Sequence, residues 1–335
     1  MMQQMFIGSG GGGADLFSVS GGNATSTGGG YKYFYFTSPG NLTVTKDSGS
    51  GDLLMSFMLI GGGGGGDDTG SGGGGAGAFV QKVDYSVSGV PGSAVNWAIV
   101  IGDGAGNNNP SSHPKGDNST FTIPTAPKTF TATGGASGTQ NLGLSSGGSG
   151  GGGGRVSPHL RGFSSIPQTI DGSGNTGDTG IGYPGARGYN SGPSSGGTGG
   201  GGGGAGGDGE IGASGPSNNA DGGRGGLGRA AFLGDTNVSP SYGTPGPSAG
   251  RWFAGGGGGG SHTSGTGRGG YAPHGGGGAM GSPASSSGFG GVPAGVENTG
   301  GGGGGGGGTS NAFIGAGGPG MKGICIVKIA TNILS

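Results

Sequence analysis

Leu53-Leu54-Met55-Ser56-Phe57-Met58-Leu59-Ile60-Gly61-Gly62-Gly63-Gly64-Gly65-Gly66 sets a short apolar run directly against six consecutive glycines. The first half has the length and composition of a buried β-strand. The second half has no side chains, so only backbone N–H and C=O groups are available for contact. Further glycine runs occupy residues 72–75, 150–154, 199–204, 255–260 and 300–308. Such runs are either slack linker or segments that pack backbone against backbone.

Working outward, 106 of the 335 residues are glycine, against a usual ~7%. Hydrophobic residues are 28% and charged residues 9%, below the globular norms of roughly 45–50% and ~25%. An ordinary leucine-and-valine core for a chain of this length is out of reach. Simple disorder also fits badly, because disordered chains usually carry a high net charge and here 14 Lys and Arg balance 15 Asp and Glu. Near-neutral charge with scattered basic residues argues against nucleic acid as a partner. The opening Met1-Met2-Gln3-Gln4-Met5-Phe6-Ile7 lacks a basic n-region and is not read as a secretory signal. No apolar stretch nears the ~20 residues of a membrane span, so no membrane insertion is expected. The single cysteine, Cys325, falls in an apolar strand pattern and reads as a small buried hydrophobe.

Strand patterns gather near the ends. Tyr31 to Phe36, Asn41 to Thr45, Asp52 to Ile60, Phe79 to Val87, Val95 to Ile101, Phe121 to Ile123 and Thr129 to Thr133 all read as strands, and Ile324 to Ile329 closes the chain. No window carries a helical apolar period. Between residues 134 and 320 shorter pieces keep glycine at every third place, as in Gly174, Gly177 and Gly180, and again in Gly222, Gly225 and Gly228. Three is the period of polyproline II, not of α-helix or strand. Such a spiral makes no internal hydrogen bonds and needs close neighbours, which requires glycine on every contacting face. Interior spirals must then be pure glycine, while outer ones can carry an outward side chain at each third residue.

The expected fold is mainly irregular and all-β: a strand-rich N-terminal part and a C-terminal closing strand around a bundle of polyglycine II helices. Its parts are an N-terminal strand-rich attachment part at residues 1–60, strands with the first glycine runs at 61–133, the bundle with variable loops at 134–320, and the closing strand at 321–335. Collagen fits less well, because its register breaks here within a dozen residues.

The aromatic opening Tyr31 to Phe36, the strand meeting a glycine run at residues 53–66, Gly72-Gly73-Gly74-Gly75-Ala76-Gly77, and the passage from residues 300–308 through Gly315-Ala316-Gly317-Gly318-Pro319-Gly320 into the last strand carry a resemblance. Over residues 28–330 the layout resembles the glycine-rich domain of bacteriophage tail and other virion proteins. It is similar to the polyglycine II adhesins of T-even-like phages, which display variable loops to bacterial surface receptors. The chain departs from those adhesins in having no long N-terminal attachment domain. The resemblance implies a non-enzymatic virion structural protein made in the host cytoplasm, a tail-fibre or adhesin component. Its implied partners are other virion subunits and a bacterial surface receptor. A capsid decoration or head-fibre role is the alternative, and an ice-binding face would need a period-three threonine ladder that is missing.

Candidate contact residues lie between the glycine runs, where aromatic and arginine side chains suit a recognition surface: Arg155, Phe163, Tyr183, Tyr189, Phe232, Tyr242, Arg251, Trp252, Phe253 and Tyr271. Trp252 and Phe253 serve equally well as seals for the bundle end. No cofactor, metal or catalytic group is expected. Gly-x-Gly-x-x-Gly is noise in a chain this rich in glycine. The histidines His113, His159, His262 and His274 stand far apart, and the loop starting at Asp171 has Gly182 where a calcium loop needs its bidentate acid. Asp67-Asp68 is the other cation candidate.

Overall fold

The structure, a computed structural model, describes residues 15–68, 72–106, 115–139, 147–154, 174–190, 197–213, 221–262, 267–272, 278, 295–309 and 312–335. The early chain forms β1 (Leu16–Gly21), β2 (Ala24–Gly28), β3 (Tyr31–Phe36), β4 (Gly40–Ser48), β5 (Leu53–Ile60), β6 (Phe79–Val87), β7 (Val95–Val100), β8 (Ser119–Ile123) and β9 (Lys128–Ala132). Short strands follow among the glycine segments: β10 (Tyr189–Asn190), β11 (Gly197–Thr198), β12 (Arg229–Ala230), β13 (Thr244–Pro245), β14 (Arg251–Phe253), β15 (Ser261–His262), β16 (Gly308–Thr309) and β17 (Ala312–Ile314). The last is β18 (Ile324–Ala330). Among the described residues there is no α-helix, so the chain is strand-rich and mainly all-β.

Two antiparallel five-stranded sheets face each other. The outer sheet has the order β1-β4-β7-β8-β9 and the central sheet the order β2-β3-β18-β5-β6. Their inner faces share one apolar core, in which the Phe57 ring of the central sheet meets Phe121 and Phe130 of the outer sheet edge-on, at 5.0 and 4.8 Å. The outer sheet alternates polar and apolar residues, as in Thr120-Phe121-Thr122-Ile123, because its far face meets solvent. The central sheet is buried on both faces. Its strands therefore read as nearly continuous apolar runs, LLMSFMLI in β5 and ICIVKIA in β18. Strand β18 lies between β3 and β5, with Val327 opposite both Phe34 and Phe57. Cys325 is buried there, and burial pushes its thiol pKa up.

The strands expected from the sequence are all present, and β1, β2 and the short strands β10 to β17 are additions. Leu16–Gly28 is rich in Ser, Thr and Gly, and gives too weak an apolar signal to mark two strands.

Strands of both sheets run on at one end into the glycine segments. β5 leads into residues 61–67, β7 into 101–106 and β9 into 133–139, while 72–78, 115–118 and 315–323 feed β6, β8 and β18. Ser119 fastens this junction: its hydroxyl accepts from the Gly102 N–H at 2.8 Å and donates to the Ile60 carbonyl at 2.7 Å.

Within the segments, successive amides donate to different neighbours. Gly61, Gly62 and Gly63 donate to Ala78, Asp117 and Met321, and Gly64 returns to the first neighbour at Gly75. In residues 72–78, Gly73 and Ala76 donate to Gly200 and Gly203, Gly74 and Gly77 to Gly303 and Gly300, and Gly75 and Ala78 to Ala136 and Thr133. Each neighbour is thus met again three residues later, in a parallel or an antiparallel sense. Carbonyls of the same stretch accept from Gly64, Ser149, Gly152 and Gly257, so residues 72–78 are bonded on all sides.

This closeness requires glycine. A Cβ on Gly74 would lie 2.1 Å from the Gly64 carbonyl oxygen, and one on Gly202 would lie 2.0 Å from that of Gly74. A Cβ on Gly177 would meet nothing within 4 Å. Gly74→Ala is therefore expected to cost about 3 kcal/mol or more, because backbone lines the gap and cannot step aside. Gly177→Ala should stay within about 0.5 kcal/mol of the parent. Paired denaturant titrations measure both.

Candidate functional site

Hydrogen-bond register places the described segments between two ends. The sandwich forms one end. At the other lies the small sheet of order β10-β11-β15-β16-β17. Residues 61–67 and 133–139 run away from the sandwich, and 198–204 returns toward it, antiparallel to 181–187.

The candidate contact residues separate into groups. Arg155 and Phe163 lie outside the described residues. Tyr183 is half-buried on the segment 181–187, where its N–H donates to Gly204 and its carbonyl accepts from Gly150. Tyr189, also half-buried, sits at the far end in β10, opposite Thr198. Tyr271 is the most open of the described candidates, 51% exposed on the rim segment 267–272, whose carbonyl at Tyr271 accepts from Gly225.

Phe232, Tyr242, Arg251, Trp252 and Phe253 belong together, and they lie against the sandwich. Strands β12, β14 and β13 form a three-stranded sheet in that order, and the chain around them covers the outer face of the central sheet. Phe253 is fully buried and Phe232 nearly so, packed in one cluster with Tyr33, Tyr35, Met58, Ile60, Ile324 and Ile326. Tyr242 stacks on Tyr35 at 4.5 Å, and burial raises its pKa. The Arg251 guanidinium donates to the carbonyls of Tyr242 and Gly243, and the Trp252 indole N–H donates to the Ser248 carbonyl at 3.2 Å. The sequence expects these residues as contact candidates in separate loops between the glycine runs, whereas the fold gathers them into one layer. Phe232 and Phe253 are core residues with no face left for a partner, because the central sheet's second apolar face needs a cover. Arg251 and Tyr242 hold that cover's turn in shape.

A polar latch fixes the same cover. Lys328 of β18 forms an ion pair with Asp235 at 2.6 Å, their side chains 15% and 9% exposed. The Tyr33 hydroxyl donates to the same carboxylate oxygen at 2.7 Å. The Lys328 ammonium also lies over the Tyr31 ring, 4.1 Å from its centroid, and close to Phe232. Gln81, fully buried in β6, holds the cover from beside it: its carbonyl accepts from the Phe232 N–H at 2.7 Å and its amide donates to Gly174. The latch left one legible trace in the sequence. A lysine inside the apolar run ICIVKIA demands a partner wherever its strand is buried.

Burial works to raise the Asp235 pKa, but the hydrogen bonds from Lys328, the Asn237 N–H and Tyr33 outweigh it and hold the carboxyl below its ordinary value. Burial, followed by the acceptor Asp235, raises the pKa of Tyr33. Among the described residues no group of three or more His, Cys, Asp or Glu side chains stands together in a way that could hold a metal. Asp67 and Asp68 are buried at the end of residues 61–68, with the Asp68 N–H donating to the Asp67 carboxylate at 2.8 Å. Among the described residues no helix is long and apolar enough to cross a membrane.

Because the folded Asp235 carboxyl titrates below the ~3.9 of an unfolded aspartate, its stabilisation is complete above that value. It is lost as pH falls through the lower, folded value. Asp178, whose pKa is lowered chiefly by its hydrogen bond from Lys128, acts in the same sense. Thermal unfolding followed from neutral to acid pH should show stability falling below about pH 4, less steeply in Asp235→Asn. Asp235→Ala, which strands Lys328, should cost about 3 kcal/mol at neutral pH.

A search of protein-family models finds no match to this chain, and a search of curated proteins finds none either.

Proposed function

We propose that the glycine segments form a polyglycine II bundle, and that the chain is a bacteriophage virion protein of the tail-fibre or adhesin kind. The bundle reading is supported by the return of each hydrogen-bond partner every third residue along 61–67 and 72–78. Three residues per turn with sideways amides is the geometry of a polyproline II spiral. Exposed side chains on the rim follow the same period, as at Asp221, Arg224 and Leu227.

The functional reading rests on one observation: rigid segments bonded backbone to backbone leave the chain free to vary only where they end or face outward. Segments so fixed make a stiff platform, and loops on rigid scaffolds commonly carry recognition. A scaffold that tolerates side chains only at its ends and rims would suit a particle that must meet differing bacterial surfaces. The receptor surface then comprises the far-end sheet around Tyr189 together with the rim that carries Tyr271. In this reading the sandwich faces neighbouring virion subunits.

Cell-binding assays with the purified chain test the receptor role. Tyr271→Ala should weaken adsorption to host cells about tenfold or more, with an unchanged melting temperature, because half of the side chain is already in water. Full binding by that variant removes Tyr271 from the surface. Electron microscopy of particles carrying a labelled chain tests the location, and label on the capsid in place of the tail overturns the fibre reading.

A further inference from the structure

The sandwich has its outer edges at β1 and β9 in one sheet and at β2 and β6 in the other. Three of these edges are covered. Along β6, the Gln81 carbonyl accepts from the Thr176 N–H while the Gln81 N–H donates to the Thr176 hydroxyl oxygen, the Val83 N–H donates to the Asn175 side chain, and Phe79 pairs with Ile181. On β9 the Thr131 N–H donates to the Asp178 carbonyl. At β1 the carbonyl of Phe17 accepts from Ser335, and Phe17 pairs with Leu334. Among the described residues, nothing reaches the outer side of β2 with a backbone hydrogen bond.

An open strand edge is a template for another strand, and proteins that keep an edge monomeric blunt it with charge, proline or a bulge. β2 reads Ala24-Thr25-Ser26-Thr27-Gly28 and has none of these, and its register against β3 is unbroken. Thr25 and Thr27 are exposed and β-branched, which suits pairing.

We propose that β2 is the pairing edge for a second copy of this chain, joined antiparallel across a two-fold axis. The sequence is self-complementary about Ser26. Thr25 of one copy meets Thr27 of the other, Ser26 meets Ser26, and Ala24 meets Gly28. No charge faces a like charge, and an isologous contact of this kind closes on itself. The left-handed glycines Gly22 and Gly29, at φ +84° and +60°, end the strand on either side and limit the pairing to this stretch. The two central sheets become one continuous sheet. Five residues a side is small against the ~1,200 Å² of a stable interface, so the association is weak and concentration-dependent.

Sedimentation velocity on the full chain from about 5 to 200 μM, the range where a small interface associates, tests this. The parent protein should shift from monomer to dimer. Thr25→Lys combined with Thr27→Lys sets like charges face to face and should move the midpoint at least tenfold higher, with an unchanged melting temperature. Thr25→Cys with Thr27→Cys should cross-link into dimers on mild oxidation, which reports the register. A chain that stays monomeric throughout, or a dimer indifferent to the two lysines, overturns the proposal.

Discussion

Hydrogen bonds between main chains of neighbouring glycine segments are the constraint from which the rest follows. In an ordinary domain the amides are satisfied within helices or sheets, and apolar side chains join those elements into a core. Here the amides of residues 61–67, 72–78 and 198–204 join separate segments directly. One set of bonds does the work of both layers. The segments must therefore come close enough for N–H to reach C=O from several sides at once, and a Cβ at Gly63, 1.9 Å from the Gly301 carbonyl oxygen, shows how little room that leaves. Ordering glycine is costly in backbone entropy, so such segments gain from a partner that holds them in register. The sandwich supplies it, because β5, β7 and β9 deliver their glycine continuations side by side.

The central sheet carries the second burden. It packs against the outer sheet on one face and the cover around β12, β13 and β14 on the other. Apolar residues are scarce in this chain, and most of the buried ones among the described residues gather at these two interfaces. The buried ion pair of Lys328 with Asp235 sits where the cover crosses β18. Two apolar side chains there could pack as stably, so the pair's contribution is best read as fixing where the cover lands.

How much could be read from residues alone depended on the range of the interaction. Alternation in Thr129-Phe130-Thr131-Ala132 and the continuous run LLMSFMLI mark strands exposed on one face and buried on two, because side-chain direction is a local property. The triplet spacing at Gly222, Gly225 and Gly228 is local too, and its outward residues Arg224 and Leu227 are indeed exposed. Pairing partners are not local. Nothing near Tyr35 announces Ile326 as its neighbour. A division of the chain at residues 60, 133 and 320 therefore follows sequence order, whereas in space the sandwich draws on residues 16–132 and 324–330 together. The same limit applied to the aromatic candidates. Trp252-Phe253 and Tyr271 look alike as text, and only the second apolar face of the central sheet, assembled from distant strands, separates buried Phe253 from exposed Tyr271.

The placement of β18 has a bearing on biosynthesis. Its slot between β3 and β5 stays empty until the ribosome has translated residues 324–330, so the nascent chain carries a split sheet from the synthesis of β5 until then. Throughout that interval the two flanking strands offer bare apolar rims to any other polypeptide emerging nearby. Low charge and high glycine content give little electrostatic deterrent. Slow or crowded synthesis should therefore send this chain into inclusion bodies more readily than its finished form would suggest.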